Sequence, residues 1–136
     1  MSGISKIAVT PNGATAYVLS TDGDGMVPIT TADNKPGRLI HLGSLPGPMA
    51  ITPNGQTVYV LNQSSGTVTP VRTATNRLGP AIAVDTPDAI AITPDGATAY
   101  VADFGSATVT PIDTATKAPG TPIPVGSRPE AIAITP

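Results

Sequence analysis

One four-residue signature recurs along the chain and limits what it can fold into. Thr10-Pro11-Asn12-Gly13 returns as Thr52-Pro53-Asn54-Gly55 and Thr93-Pro94-Asp95-Gly96, then begins again at Thr135-Pro136, at spacings of 42, 41 and 42 residues. Other landmarks keep the same step: Tyr17-Val18, Tyr59-Val60 and Tyr100-Val101; Pro28-Ile29, Pro70-Val71 and Pro111-Ile112; Gly37, Gly79 and Gly120. A fixed period of this size means that one supersecondary unit is stacked several times. Gly43-Ser44-Leu45-Pro46 and Gly126-Ser127-Arg128-Pro129 are answered in the middle unit by the shorter Asp85-Thr86-Pro87. The lost residue therefore falls in a link between units, where surface loops tolerate deletion.

Each unit reads as four short strands. The chain of 136 residues holds 16 Pro and 14 Gly, which interrupt helices, and its recurrent β-branched Thr favours strands. In the third unit Ala89-Ile90-Ala91-Ile92-Thr93 alternates with a period of two, as one strand face requires. Pro94-Asp95-Gly96 turns the chain, with Gly supplying positive φ. Thr98 to Ala102 is the second strand, Asp103 to Ala107 a hairpin loop, and Thr108 to Ile112 the third strand. Pro111 cannot donate to a ladder, so its donor position should face outward or a bulge should sit there. Thr114-Ala115-Thr116 reads as a hydroxyl-assisted turn. Thr121 to Val125, with two prolines, is expected at the sheet edge.

Four antiparallel strands every 42 residues indicate β-propeller blades. No Trp-Asp pair marks the WD40 class, and no Gly-Gly doublet marks kelch. The expectation is an all-β chain forming one partial propeller domain, 1–136, with repeats at about 4–45, 46–86 and 87–128 and an extra first strand at 129–136. Three blades do not close a ring, since propellers typically have 4 to 8. The flat faces of the terminal blades would carry Ile, Val and Ala into water, which marks an association site. The ring is expected to be completed by a second copy, giving six blades, rather than by three copies, giving nine. The rival is a segment of a longer propeller, torn or engineered.

The unit resembles the YVTN family of propeller repeats. The motif that names the family stands here as Tyr59-Val60-Leu61-Asn62, Tyr100-Val101-Ala102-Asp103 and Tyr17-Val18-Leu19-Ser20. The family's proline, apolar stretch and Thr-Pro-Asp-Gly match Pro87 to Gly96. Its Ile-Asp-Thr-Ala-Thr segment matches Ile112-Asp113-Thr114-Ala115-Thr116, and its closing Pro-Val-Gly matches Pro124-Val125-Gly126. The first unit departs from the pattern, with Ser20 for the Asn and Thr21-Asp22-Gly23-Asp24-Gly25 in the hairpin. The resemblance implies a propeller fold, usually of seven blades, and family members that are often exported.

The search for chemistry returns mainly exclusions. Net charge is −2 and the seven basic residues are scattered along the sequence, so no basic run points to nucleic acid. No apolar run reaches the roughly 20 residues of a membrane-spanning helix. The N-terminus, Met1-Ser2-Gly3-Ile4-Ser5-Lys6, lacks an apolar signal-peptide core, and no compartment is assigned. Cys is absent, which excludes disulfides and thiolate metal sites. The single His, His41, falls in an outermost strand and reads as a solvated surface residue. Asp22-Gly23-Asp24-Gly25 lacks the length and terminal Glu of a calcium loop and reads as a hairpin turn. Asn62 and Asp103 are expected to bond the hairpin backbone. No cofactor is expected, and neither a catalytic nor a metal-binding residue is assigned.

Blade topology puts the second-to-third hairpins and the inter-blade links on one face. That face groups Asp22, Asp24, Gln63, Ser64, Phe104, Ser106 and Arg128, with Leu45, Asp88 and Glu130 nearby, as a candidate surface for a protein or small-molecule ligand. The functional expectation is a non-catalytic binding or assembly scaffold. The alternative is a lactonase-like hydrolase, since propellers of similar appearance act on sugar lactones. That chemistry needs a metal held by acids, or a His with Arg and Glu partners at the channel mouth, and the sequence presents neither set.

Overall fold

The computed structural model describes residues 4–20, 24–43 and 45–136. Its secondary structure is β throughout, in three antiparallel sheets that follow the sequence repeat. Blade 1 comprises β1 (Ile4–Val9), β2 (Thr15–Ser20), β3 (Gly25–Thr30), β4 (Lys35–Pro36) and β5 (Ile40–His41). Blade 2 comprises β6 (Pro46–Ile51), β7 (Thr57–Asn62), β8 (Thr67–Arg72), β9 (Arg77–Leu78) and β10 (Ile82–Ala83). Blade 3 comprises β11 (Pro87–Ile92), β12 (Thr98–Asp103), β13 (Thr108–Asp113) and β14 (Ile123–Pro124). The innermost strand β6 sits between β1 and β11, so the blades stack side by side around a common axis.

The outermost strand is not the continuous strand that Thr121 to Val125 suggested. In blades 1 and 2 it is broken into two short pieces that both pair with the third strand. In blade 3 it consists of an Ile112–Pro119 bridge followed by β14. The break has one cause, repeated three times. The carbonyls of Pro28, Pro70 and Pro111 accept from the N–H groups of Gly37, Gly79 and Gly120 at 2.7, 2.8 and 2.7 Å. A residue's N–H and C=O leave an antiparallel strand on the same side, so each proline's missing donor also faces outward. The ring occupies the space beside the glycine: a Cβ there would lie 3.1 Å from the proline Cγ in every blade. The two sequence landmarks are the two halves of one contact.

The turns repeat as closely. Thr10, Thr52 and Thr93 donate through Oγ1 to Oδ1 of Asn12, Asn54 and Asp95 at 2.7, 2.7 and 2.6 Å. Gly13, Gly55 and Gly96 follow at φ 73°, 73° and 74°, the region that glycine enters without a Cβ penalty. The turn between third and fourth strands is tied to this one. Thr31, Thr73 and Thr114 donate to the carbonyls of Gly13, Gly55 and Gly96 at 2.5, 2.6 and 2.5 Å. In blade 3 the aspartate shares the work expected of hydroxyls alone, because Asp113 Oδ1 accepts from the N–H groups of Ala115 and Thr116 at 2.8 and 3.0 Å.

The core lies between blades, not within them. Tyr17, Leu19, Met26, Ile40 and Leu42 of blade 1 pack on Val58, Val60 and Val71 of blade 2, with Met49 and Ile51 partly covered beside them. One repeat later Tyr59, Leu61, Val68 and Ile82 pack on Ala99, Val101 and Ile112, with Val84, Ile90 and Ile92 alongside. Each blade thus has a leading face, carrying the Tyr, and a trailing face of smaller branched residues. Burying one such side chain is worth about 1.5–3 kcal/mol, so these two interfaces supply most of the hydrophobic drive.

Residues 129–136 match β1 in sequence but form no strand. They belong to none of the three sheets. The hairpin boundary also moves: Asp103 belongs to β12, so the loop in blade 3 is 104–107. The shortened link is confirmed in backbone terms. Gly43 and Gly126 have φ 102° and 104°, and Leu45 and Arg128 have 53° and 56°, whereas the link at 85–86 has no positive-φ residue.

Candidate functional site

The expected ligand face carries two side-chain couplings. Gln63 Nε2 donates to Asp88 Oδ1 at 2.9 Å, joining the blade 2 hairpin to the first strand of blade 3. The Phe104 N–H donates to the Thr86 carbonyl at 2.8 Å, and the Arg128 guanidinium stands 5.8 Å from the centre of the Phe104 ring, within cation–π range. Phe104 is therefore half-buried beneath a cation and not a bare aromatic anchor. Ser106 shares a hydrogen bond with Thr108 at 2.7 Å. Asp24, Ser64, Leu45 and Glu130 are exposed on this side. Asp22 and Gly23 lie outside the described residues, as does Ser44 of the first link. His41 is exposed at the end of β5, as a surface histidine should be.

Asn62 and Asp103 do not bond the hairpin backbone. Asn62 Nδ2 donates to Thr69 Oγ1 at 2.9 Å, and Asp103 Oδ2 accepts from Thr110 Oγ1 at 2.5 Å. Both side chains are buried, and Oδ1 of each has no partner. They cross-link the second and third strands of their own blades beneath the surface. The reason is steric order: the threonine hydroxyl on the neighbouring strand sits closer than the loop that the spacing suggested.

Two grooves open between the blades. One, of about 1200 Å³, runs between blades 2 and 3. Its walls are the first turns (Thr52, Asn54, Gly96) and the third-to-fourth turns (Thr73, Thr114, Lys117), and its floor includes Tyr59. Arg72, Arg77 and Lys117 line it. A smaller groove of about 710 Å³ lies between blades 1 and 2, beside Arg38, His41 and Asn76. Cations scattered along the sequence are therefore gathered by the fold. The available signal was their register, since Lys35 and Arg77 share one repeat position, but register alone does not bring Arg72, Arg77 and Lys117 together.

Two tyrosines occupy equivalent positions in the two interfaces, and Tyr59 lines the larger groove. The Tyr17 hydroxyl donates to Asn76 Oδ1 at 2.9 Å across the first interface. The Tyr59 hydroxyl, one repeat on, is buried with no partner. Burial raises both phenols above their ordinary pKa, and for Tyr59 the nearby charge of Asp113 adds to it. Among the described residues no three His, Asp or Glu side chains come together as a metal-holding group, and no helix is long and apolar enough to cross a membrane.

This geometry recurs in known structures. Hydrazine synthase of Kuenenia stuttgartiensis superimposes on 95% of the chain with a TM-score of 0.88 at 28% identity. The WD40 repeats of RRP9 superimpose on 93% with a TM-score of 0.81 at 14% identity. The chain is a partial β-propeller. A protein assigned as a 6-phosphogluconolactonase, from Bacteroides fragilis, superimposes on 95% of this propeller with a TM-score of 0.79 at 19% identity. The chain spans 38%, 39% and 41% of these three structures. No family model matches the sequence, and a search of curated proteins returns no match.

Proposed function

We propose that this chain is a non-catalytic propeller scaffold of the YVTN type, whose terminal blade faces are covered by a second copy to make a six-bladed ring. The observation that carries this reading is the state of the two end faces. Blade 3 presents Tyr100, Val109, Ile123 and Val125 at the positions where blades 1 and 2 use Tyr, Met or Val, Ile, and Leu or Val to cover the next blade, while Ala102, at the position of their Leu, is already buried. Ile40 and Ile82 are 7% and 5% exposed, whereas their counterpart Ile123 is 45% exposed. Blade 1 presents Ile7, Val9, Ala16, Val18 and Ile29 where blades 2 and 3 meet the blade before them. Ile7 and Val9 are 65% and 54% exposed, while Met49 and Ile51 at the same positions are packed against the first core.

The two faces are complements, because the same pair of surfaces meets twice within the chain. A head-to-tail contact would repeat a known interface without inventing one, and two copies would close the cycle. At roughly 25 cal/mol per Å² of apolar surface, covering some hundreds of Å² at each junction favours assembly by several kcal/mol. The low density of ionisable groups, 12% of residues, supports a scaffold over a hydrolase. A ligand for the assembled ring would meet the hairpin and link face, where the Phe104–Arg128 pair and the Gln63–Asp88 bond already hold neighbouring loops together.

Light scattering coupled to size exclusion tests the reading at micromolar concentration. The expected mass is twice that of the chain; a stable monomer overturns the ring. Turnover of a chromogenic lactone, with and without divalent metal, tests the non-catalytic part, and catalysis that saturates with substrate overturns it.

A further inference from the structure

We infer that the groove between blades 2 and 3 is a binding site for a small dianionic oxyanion of the phosphate or phosphomonoester class. Four donors converge on it. Arg72 and Arg77 are directly opposed across β8 and β9, and like charges so placed repel each other. Both line the groove together with Lys117, and no carboxylate lines it. Asp113, next to the lining residue Thr114, is engaged by two backbone N–H groups, and its charge near Tyr59 is outnumbered by the three cations. Tyr59 at the floor is fully buried and its hydroxyl has no acceptor.

Arg72, Arg77 and Tyr59 lack what an oxyanion supplies, and Lys117 Nζ has only the Thr114 carbonyl, at 3.5 Å. Guanidinium and ammonium groups are donors only, and planar guanidinium forks suit phosphate oxygens. Tyr59 is a donor as well, because burial keeps its phenol protonated well above neutral pH. Its counterpart Tyr17 shows what satisfies such a hydroxyl: an oxygen acceptor, there Asn76 Oδ1. In the second interface the corresponding position is Lys117, which carries no acceptor and leaves the Tyr59 hydroxyl without one. One anion answers the opposed arginines, the lysine and the phenol together. The groove lies within a single chain, so the inference does not depend on the ring.

The test is a titration of ¹⁵N-labelled protein with inorganic phosphate in low-salt, phosphate-free buffer. Saturable amide shifts are expected to be confined to residues 73–79 and 114–118. R72Q and R77Q, at exposed positions, should each weaken binding roughly tenfold, and raising the salt should weaken it further. K35Q, the blade 1 counterpart of Arg77, should leave it unchanged. K117N removes a cation and gives Tyr59 an acceptor from within the chain, so it should weaken phosphate binding while raising thermal stability. Shifts that do not saturate, that spread over the surface, or that persist unchanged in R72Q and R77Q overturn the site. Acetate binding as tightly as phosphate overturns the dianion assignment.

Discussion

Tyr17 and Asn76 are joined across the first blade interface by a 2.9 Å hydrogen bond, and the second interface keeps the tyrosine while losing the asparagine. Lys117 stands in that place with φ 60°, close to the 55° of Asn76. Asparagine tolerates this left-handed region better than lysine. K117N should therefore relieve the backbone and supply the Tyr59 hydroxyl with an acceptor. The expected gain is about 1 kcal/mol, the net worth of one intramolecular hydrogen bond. Urea unfolding measures it, and an unchanged or lowered midpoint would show that the two interfaces are not equivalent.

Asp103 should be better as asparagine. Its carboxylate is buried with one oxygen unpaired, while Asn62 fills the same position in blade 2 and bonds the matching threonine. D103N keeps a bond to Thr110 by donating from its amide, and it removes a buried charge that has no ion-pair partner. A stabilisation of roughly 1 kcal/mol is expected, because an unpaired buried charge costs more than the neutral amide that blade 2 holds at this position. Thermal melts at neutral pH would read it as a higher midpoint, and T110V in the wild-type background as a lower one.

The shortened link makes Gly66 indispensable and leaves its counterpart free. A Cβ on Gly66 would lie 2.6 Å from the Asp85 carbonyl, at φ 63°. Ala107, opposite the longer link, already carries a Cβ at φ 59°. G66A should cost about 1–3 kcal/mol from clash and left-handed strain together. A107G should gain about 0.5–1 kcal/mol by removing the strain alone. Opposite signs in the two unfolding midpoints are the expected result; equal signs would mean that link length does not set the requirement.

The blades were legible because their information is local and repeated. Strand alternation, the Thr-Pro-Asn-Gly turn and the proline landmarks each act within one unit, so three copies read as three blades. What escaped was relational. Pro70 and Gly79 are nine residues apart, and only the folded sheet shows the ring pressing on the glycine to break the outer strand. Asn62 looked like a loop residue because its partner, Thr69, is across a hairpin. The cationic groove was invisible for the same reason: Arg72, Arg77 and Lys117 belong to two blades, and a sequence count registers them as scattered.

Acid and alkali should act through different groups. The Thr93 hydroxyl and the Ala97 N–H hold Asp95 below the usual carboxylate range, and the N–H groups of Thr116 and Ala115 do the same for Asp113. An unfolded Asp titrates near 3.9, so these bonds contribute fully above about pH 4 and are lost as pH falls through the lower folded values. Both groups are fully exposed, so the effect is small, and the D95N/D113N double variant should flatten the acid limb of a Tm-against-pH curve. Tyr17 and Tyr59 are shifted the other way by burial. Their contribution is complete below about pH 10 and lost as pH rises through the raised folded values. Y59F should shrink the alkaline loss, and an unaltered limb would remove Tyr59 as its source.

If two copies close a ring, the junction can be specified to the residue. Tyr100 of one copy would meet blade 1 of the other, where Asn34 holds φ 58° at the position of Asn76. The hydrogen bond of the first interface would be remade between chains, Tyr100 to Asn34 of the second copy. Ile7 and Val125 are 65% and 51% exposed in the single chain, so I7D and V125D should fold normally by circular dichroism. Each places a carboxylate against apolar side chains at the junction, where desolvating an unpaired charge costs several kcal/mol. Both should run as monomers on light scattering. Y100F should loosen the dimer by roughly tenfold, the worth of one interfacial hydrogen bond, and N34A should do the same without adding to it in the double variant. Additive losses from Y100F and N34A would mean that the two side chains do not meet. An I7D protein that still dimerises would mean that the copies join through some other surface.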